Sequence, residues 1–300
     1  MRRLISILSV AVLLSACGDS ASFLRSTPSF QSTAEANYEL GLRQLKNGNY
    51  QLAQQYFQYI RNKFGFTKWA TTAELALADV EMGREKYTEA IEMYRQFMRS
   101  HPNHERVQDG YVAFKVCEAT SKQVPSEWFL SPPSHEKDQG PANDAYRELN
   151  DFLAQYADSP YHGQSKQLWQ QVVKQLTDHE LYVANFYLKL DKPKAAVWRL
   201  EGLLRDYKGA NRAPEALLLL GRTYLHMKEA GQARGTFERL VAEHSKDFRA
   251  EKAKLYLAQI KKQYGDVPVP PPPAPPVDKK QKPKEPNRQE PTSTAGEGEG

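Results

Sequence analysis

Cysteine is almost missing from this chain, with two in 300 residues, Cys17 and Cys117. Two cysteines cannot build a disulfide framework, so stability has to come from a buried core. An excess of one charge is lacking as well: 41 Lys and Arg stand against 36 Asp and Glu, and the formal net charge of +5 is too small a surplus to argue for nucleic acid as a partner. Motifs that carry chemistry are lacking. There is no Gly-rich phosphate loop and no paired-histidine metal motif. His101 and His104 stand three apart, but Pro102 between them points to a turn at a helix boundary. Cys117 falls in the apolar pattern Val112, Phe114, Val116 and reads as a buried, inert thiol. Asp178, His179 and Glu180 read as a solvated helix face. The sequence thus offers no catalytic residue, no metal site and no cofactor site, and it is not read as an enzyme.

What is present begins with one apolar run, Leu4 to Ala16, behind Arg2 and Arg3. As a helix its 13 residues would span roughly 20 Å, short of a hydrocarbon core of about 30 Å. The run therefore suits a secretory signal peptide over residues 1–16. It closes on Leu14-Ser15-Ala16-Cys17, which resembles the lipobox of bacterial lipoproteins. That resemblance makes Cys17 the lipidated first mature residue, and residues 17–32 a tether. Several acyl chains hold a protein to a bilayer stably without a spanning helix. Gly18, and not an aspartate, follows the cysteine, which by the sorting rules of such lipoproteins implies the outer membrane, periplasmic face. A lipidated Cys17 leaves Cys117 without a disulfide partner.

Self-similarity decides the fold. Leu40-Gly41, Tyr50, Ala53 and Phe57 return 37 residues later as Leu77-Ala78, Tyr87, Ala90 and Tyr94. Ala184, Tyr187, Ala196 and Leu200 return at the same offset as Gly221, Tyr224, Ala233 and Phe237. These positions resemble the tetratricopeptide repeat, in which small residues mark the close approach of two antiparallel helices and large ones fill the adjoining gap. The expected fold is all-α: a right-handed superhelical solenoid of about five tetratricopeptide-like helix pairs. The pairs fall near 34–67, 71–104, 105–158, 160–210 and 212–247, with a C-terminal capping helix near 248–264. Asn47-Gly48-Asn49 supplies a turn inside the first pair. Pro102 ends the second pair. Ser159-Pro160 and Pro193 mark helix starts, with the intervening helix running to about Leu190.

The third pair carries an insertion near 122–141 with Pro125, Pro132, Pro133 and Pro141 and the apolar trio Trp128, Phe129 and Leu130. That trio is either an exposed contact site or tucked onto the solenoid. Residues 266–300 hold ten of the 19 prolines and no Leu, Ile or aromatic residue. Such a segment buries too little apolar surface to offset its ordering entropy and reads as a disordered Pro-rich tail. The halves of the repeat region divide at 33–158 and 159–265.

Repeats of this kind bind. In the tetratricopeptide family, positions 2, 5, 9 and 12 of a unit face the concave side. Here they are Glu35, Tyr38, Leu42 and Leu45, then Thr72, Leu75, Asp79 and Met82. This amphipathic set suits an extended peptide with apolar and aromatic residues. Beyond the repeat, the stretch Glu180-Leu-Tyr182-Val183…Phe186-Tyr187 and Ala195-Ala196-Val-Trp-Arg199-Leu-Glu201-Gly202-Leu-Leu-Arg205-Asp206-Tyr207, with His101-Pro102-Asn-His104, is similar to the BamD family of the β-barrel assembly machinery. Lys208 and Glu105 depart from that family's prolines. The resemblance implies an outer-membrane lipoprotein scaffold. Its N-terminal half would bind unfolded outer-membrane proteins, and its C-terminal half would dock on a BamA-like insertase through Arg199, Glu201 and Arg205. Other assembly-machine lipoproteins would join it. The same features suit another periplasmic repeat lipoprotein, serving pilus secretin assembly or cell-wall coordination.

Overall fold

The computed structural model describes residues 28–126 and 132–271. The signal peptide, Cys17, the Trp128-Phe129-Leu130 trio and the tail from 272 onward lie outside the described residues. Among the described residues the chain is all-helical. In order the helices are α1 (Ala34–Lys46), α2 (Tyr50–Lys63), α3 (Lys68–Gly83), α4 (Tyr87–Ser100), α5 (Glu105–Gln108), α6 (Tyr111–Lys122), α7 (Gly140–Gln155), α8 (His162–Lys189), α9 (Pro193–Asp206), α10 (Ala213–His226), α11 (Ala230–Glu243) and α12 (Phe248–Tyr264). These are the five expected pairs and the final helix, with the four-residue α5 added before the third pair. None is long and apolar enough to cross a membrane.

The chain divides into two compact units, Met1–His179 and Glu180–Gly300. The division falls inside α8, which runs unbroken for 28 residues. Pro193 opens α9 as expected. Pro160 instead sits in a turn two residues before α8, where the Ser159 hydroxyl accepts from the Tyr161 amide at 3.2 Å.

Small residues decide how closely the paired helices approach. A Cβ built on Gly41 would lie 2.6 Å from Phe57 Cε1, and one on Gly221 would lie 2.4 Å from Phe237 Cε1. Glycine is required at both positions because a fully buried ring occupies the place of its missing methyl group. Ala53, Ala90, Ala184, Ala196 and Ala233 have no exposed surface, and neither have Phe57, Tyr94 and Phe237. The small and large positions of the repeat are therefore core, as their spacing predicts.

The turns repeat as well. Four first helices close with an amide reaching the carbonyl five residues back: Asn49 to Gln44, Lys86 to Glu81, Lys192 to Tyr187 and Glu229 to Tyr224. This is the Schellman closure, which needs a left-handed residue just before the donor. Those residues are Gly48, Glu85, Asp191 and Lys228, with φ of 76°, 62°, 54° and 63°. Only the first is glycine.

The C-terminal unit ends on α12, capped by the Asp247 carboxylate accepting from the Arg249 amide at 2.8 Å. Its Ala250, Ala253 and Ile260 are buried, and Tyr256 stacks on Phe237 at 5.0 Å. The solvated tail expected from 266 needs correction at its start. Val267 packs against the core of the unit, and Gln232 and Arg234 of α11 each donate to a carbonyl of this segment, Pro271 at 2.9 Å and Val267 at 2.8 Å. Hydrogen bonds and a close helix surface hold what composition alone leaves free.

Candidate functional site

In the N-terminal unit the residues expected on the binding face meet different fates. Glu35 and Leu42 are exposed, while Tyr38, Leu45, Thr72, Asp79 and Met82 are half-buried. Leu75 is buried among α4 and α6 side chains and is unavailable to a ligand. The Thr72 hydroxyl is engaged locally, donating to the Lys68 carbonyl at 2.9 Å.

Tyr38 and Asp79 anchor a larger cluster. The Tyr38 ring lies 5.4 Å from Trp69 and 5.5 Å from Phe57. The Asp79 carboxylate accepts from Tyr94 Oη at 2.5 Å and from Tyr111 Oη at 3.4 Å. Desolvation pushes the Asp79 carboxyl above its ordinary value, and the two phenols and Lys115 oppose that rise. Tyr94 and Tyr111 are raised in turn, by burial first and then by the Asp79 charge, and stay neutral donors. Arg106 and Lys115 sit 5.3 and 5.8 Å from the Tyr111 ring centre. Tyr161 lies edge-on to Tyr111 at 5.5 Å, and Lys68 sits 5.1 Å from the Trp69 ring centre. The result is a patch of half-buried rings with cations beside them, around one acid already committed to two tyrosines. Lys115 is paired with Glu118 at 2.7 Å and Arg106 with Asp109 at 3.4 Å, so the patch offers aromatic faces to apolar or aromatic side chains, and its cations reach an incoming carboxylate only in exchange for these partners. Trp69, Arg106, Tyr111 and Lys115 fall outside the eight positions taken from repeat numbering. Trp69 shares α3 with Asp79, Arg106 lies on α5, and Tyr111 and Lys115 lie on α6, so only packing reveals that they meet Tyr38 and Asp79.

His101 and His104 join no metal site: among the described residues no cluster could hold one. The His101 ring lies 3.0 Å from the Glu74 carboxylate, and His104 caps α5. Cys117 is buried, and burial pushes its thiol up to about 12. His179, expected in solvent, instead meets the His135 carbonyl at 2.6 Å, which ties the visible end of the 122–141 insertion to α8.

In the C-terminal unit, Arg199 projects from α9 as expected and reaches Glu180 of α8 at 3.4 Å. Glu180 is thus a partner across the helix pair and not a solvated residue. The three residues expected to act together diverge. Glu201 turns the other way and accepts from Tyr224 Oη of α10 at 2.8 Å, since residues two apart on a helix do not share a face. Arg205, four residues after Glu201, is exposed and pairs with Asp206 at 2.8 and 3.0 Å. Glu201 and Arg205 line a cavity of about 510 Å³ together with Leu204, Leu217 and Arg239.

Exposed rings mark this unit. Trp198 is 56% exposed, Phe186 50% and Tyr182 43%. The buried stripe of α9 is Ala196, Val197, Leu200, Leu203 and Leu204, so Trp198 faces away from it, beside Arg199. A tryptophan off the apolar stripe was readable in the sequence as a contact residue.

Residues 30–240 match the family model described as YfiO, outer membrane lipoprotein. The chain is 23% identical over 225 residues to the outer membrane protein assembly factor BamD of Caulobacter vibrioides, covering 75% of this chain and 70% of that one. It is 21% identical over 231 residues to BamD of Neisseria meningitidis serogroup A, covering 75% and 84%. With BamD of Haemophilus influenzae it shares 23% identity over 248 residues, covering 81% and 91%.

Proposed function

Because the chain belongs to the YfiO/BamD family of outer membrane lipoproteins, we propose that it works as a scaffold in outer-membrane protein assembly. The N-terminal unit receives unfolded outer-membrane protein segments on the Tyr38–Trp69–Tyr111 patch. The rings take apolar and aromatic side chains, and Arg106 and Lys115 take carboxylate. The C-terminal unit docks on a BamA-like β-barrel insertase through Trp198 and Arg199, with Glu201 and Arg205 on the neighbouring face. Tryptophan and arginine are among the residue types most enriched where a few side chains dominate such interfaces. Lipid on Cys17 fixes the scaffold to the periplasmic face of the outer membrane, and further assembly-machine lipoproteins attach to it. Its action is binding and not catalysis. The observation that carries this reading is the family match over residues 30–240, which runs through both units.

The test is a mild-detergent pull-down of the full-length lipoprotein from its own outer membrane, followed by mass spectrometry. A stoichiometric β-barrel with periplasmic domains is expected, and Arg199→Glu should remove it without unfolding the chain. Recovery of a secretin or a cell-wall enzyme in its place would transfer the scaffold to another machine.

A further inference from the structure

Helix α11 carries two glycines, Gly231 and Gly235, in its first half. Gly235, inside the helix, costs about 1 kcal/mol relative to alanine, and Gly231 stands in the first turn. The helix-pair packing does not account for them, because within α11 the repeat's small and large positions are Ala233 and Phe237. What faces these glycines is the chain's own segment after α12. A Cβ on Gly231 would stand 2.4 Å from the Pro268 carbonyl oxygen and 2.9 Å from Pro270 Cδ. A Cβ on Gly235 would stand 2.4 Å from Val269 Cγ1. One turn apart, the two glycines form a bare track along which a backbone can lie.

The polar contacts on that track fit a proline-rich chain. Proline has no amide hydrogen, so the carbonyl is the one backbone group it can offer. Gln232 and Arg234 are donors, and both are spent on carbonyls of the segment, at Pro271 and Val267. Val269 and Pro270 then form one wall of the 510 Å³ cavity lined by Leu204, Arg205 and Arg239. Val269 remains 47% exposed, so the segment lies on the surface as a strap and is not part of the core.

We propose that the Gly231–Gly235 track of α11, with the cavity beside it, is a recognition site for proline-rich chain segments, and that the strap Val267–Pro271 is its resident ligand, held in cis. Tethering gives such a ligand an effective concentration of the order of millimolar. A proline-rich segment of another chain gains the site when the strap leaves. This inference concerns the strap and its seat and stands independently of the assembly-factor reading.

The experiment uses the full-length chain with Gly235→Cys/Val269→Cys. The Cβ atoms would lie 3.6 Å apart, within the disulfide range of about 3.5–4.5 Å. The comparison pair is Gly235→Cys/Val277→Cys, which closes a loop of nearly equal length. A seated strap oxidises at position 269 at least tenfold faster than at 277. An unseated tail closes both within about twofold, and that result overturns the proposal. Recognition is then read with a fluorescein-labelled peptide of sequence 266–273. A full chain whose residues 267–271 are replaced by Gly and Ser should bind it at least tenfold more tightly than the disulfide-locked chain. Equal binding by the two chains would reduce the track to a packing contact and overturn the recognition site.

Discussion

In the N-terminal unit Gly41 makes room for Phe57, and in the C-terminal unit Gly221 makes room for Phe237 at the same 16-residue separation. The interiors obey one rule. The surfaces do not. The N-terminal unit also leaves Phe30 and Phe66 in solvent, but it gathers rings around a desolvated carboxylate, with Tyr94 and Tyr111 donating to Asp79. The C-terminal unit leaves Trp198, Phe186 and Tyr182 in solvent and walls one side of a cavity with its own proline-rich strap. The repeat constrains volumes where helices touch and leaves the outward positions free, so each unit carries its own chemistry on a common frame.

The largest effect tests the common frame. Phe57→Ala and Phe237→Ala each empty a site with no exposed surface, which costs about 3–5 kcal/mol. Urea unfolding of the two variants should give matching losses. A loss confined to one of them would break the equivalence of the interiors. Next comes the difference at the surface. Trp198→Ala should weaken insertase binding by about 2 kcal/mol or more, roughly 30-fold. It should leave the unfolding midpoint unchanged, because the side chain touches solvent. Tyr111→Ala should lower both substrate-peptide affinity and stability, since its ring packs and its hydroxyl serves Asp79. Titration of both variants against both ligands, beside thermal melts, separates the two kinds of face.

Much of the frame was legible in the sequence, because helix packing fixes residue volumes at fixed spacings. The 37-residue offset located the small and large core positions and the helix pairs. It missed what depends on distant segments meeting. Gly231 and Gly235 become intelligible only with Pro268 and Val269 against them, more than 30 positions along the chain. Leu75 occupies a concave position in repeat numbering, yet it is core because α4 and α6 close over it. The divergence of Arg199 from Glu201 follows from 100° per residue and was available from the start. The pairings each side chain finds, Glu180 for one and Tyr224 for the other, were not.

Asp79 sharpens the comparison through pH. Burial raises its folded pKa above the ordinary 3.8, so the folded state holds the proton more tightly than the unfolded state. Below 3.8 both states are protonated and the site has no pH dependence. As pH rises from there through the folded value, stability falls, and above it the loss is complete. Asp79→Asn keeps an oxygen acceptor for Tyr94 and removes the titration. Melting of wild type and variant across this window should show the wild type losing ground to the variant as pH rises. A constant difference would mean that the two tyrosines and Lys115 fully compensate the desolvation.

The smallest effect bears on the frame again, at the turns. Gly48 adopts the left-handed conformation freely, whereas Glu85 in the N-terminal unit and Lys228 in the C-terminal unit hold it with a side chain, at φ of 62° and 63°. A left-handed non-glycine residue costs about 1–2 kcal/mol. Glycine recovers part of that but gives the unfolded chain more freedom, so the net gain is about 1 kcal/mol or less. Glu85→Gly and Lys228→Gly should therefore each raise the unfolding midpoint slightly and by equal amounts, measured by chemical denaturation. Glu85 carries no backbone role besides the turn, and Lys228 donates its amide to Leu225 as Glu85 donates to Met82, at 3.0 and 3.1 Å. Unequal gains would mean that one turn is strained by its surroundings and not by its own backbone, and would end the claim that the two units are built on interchangeable parts.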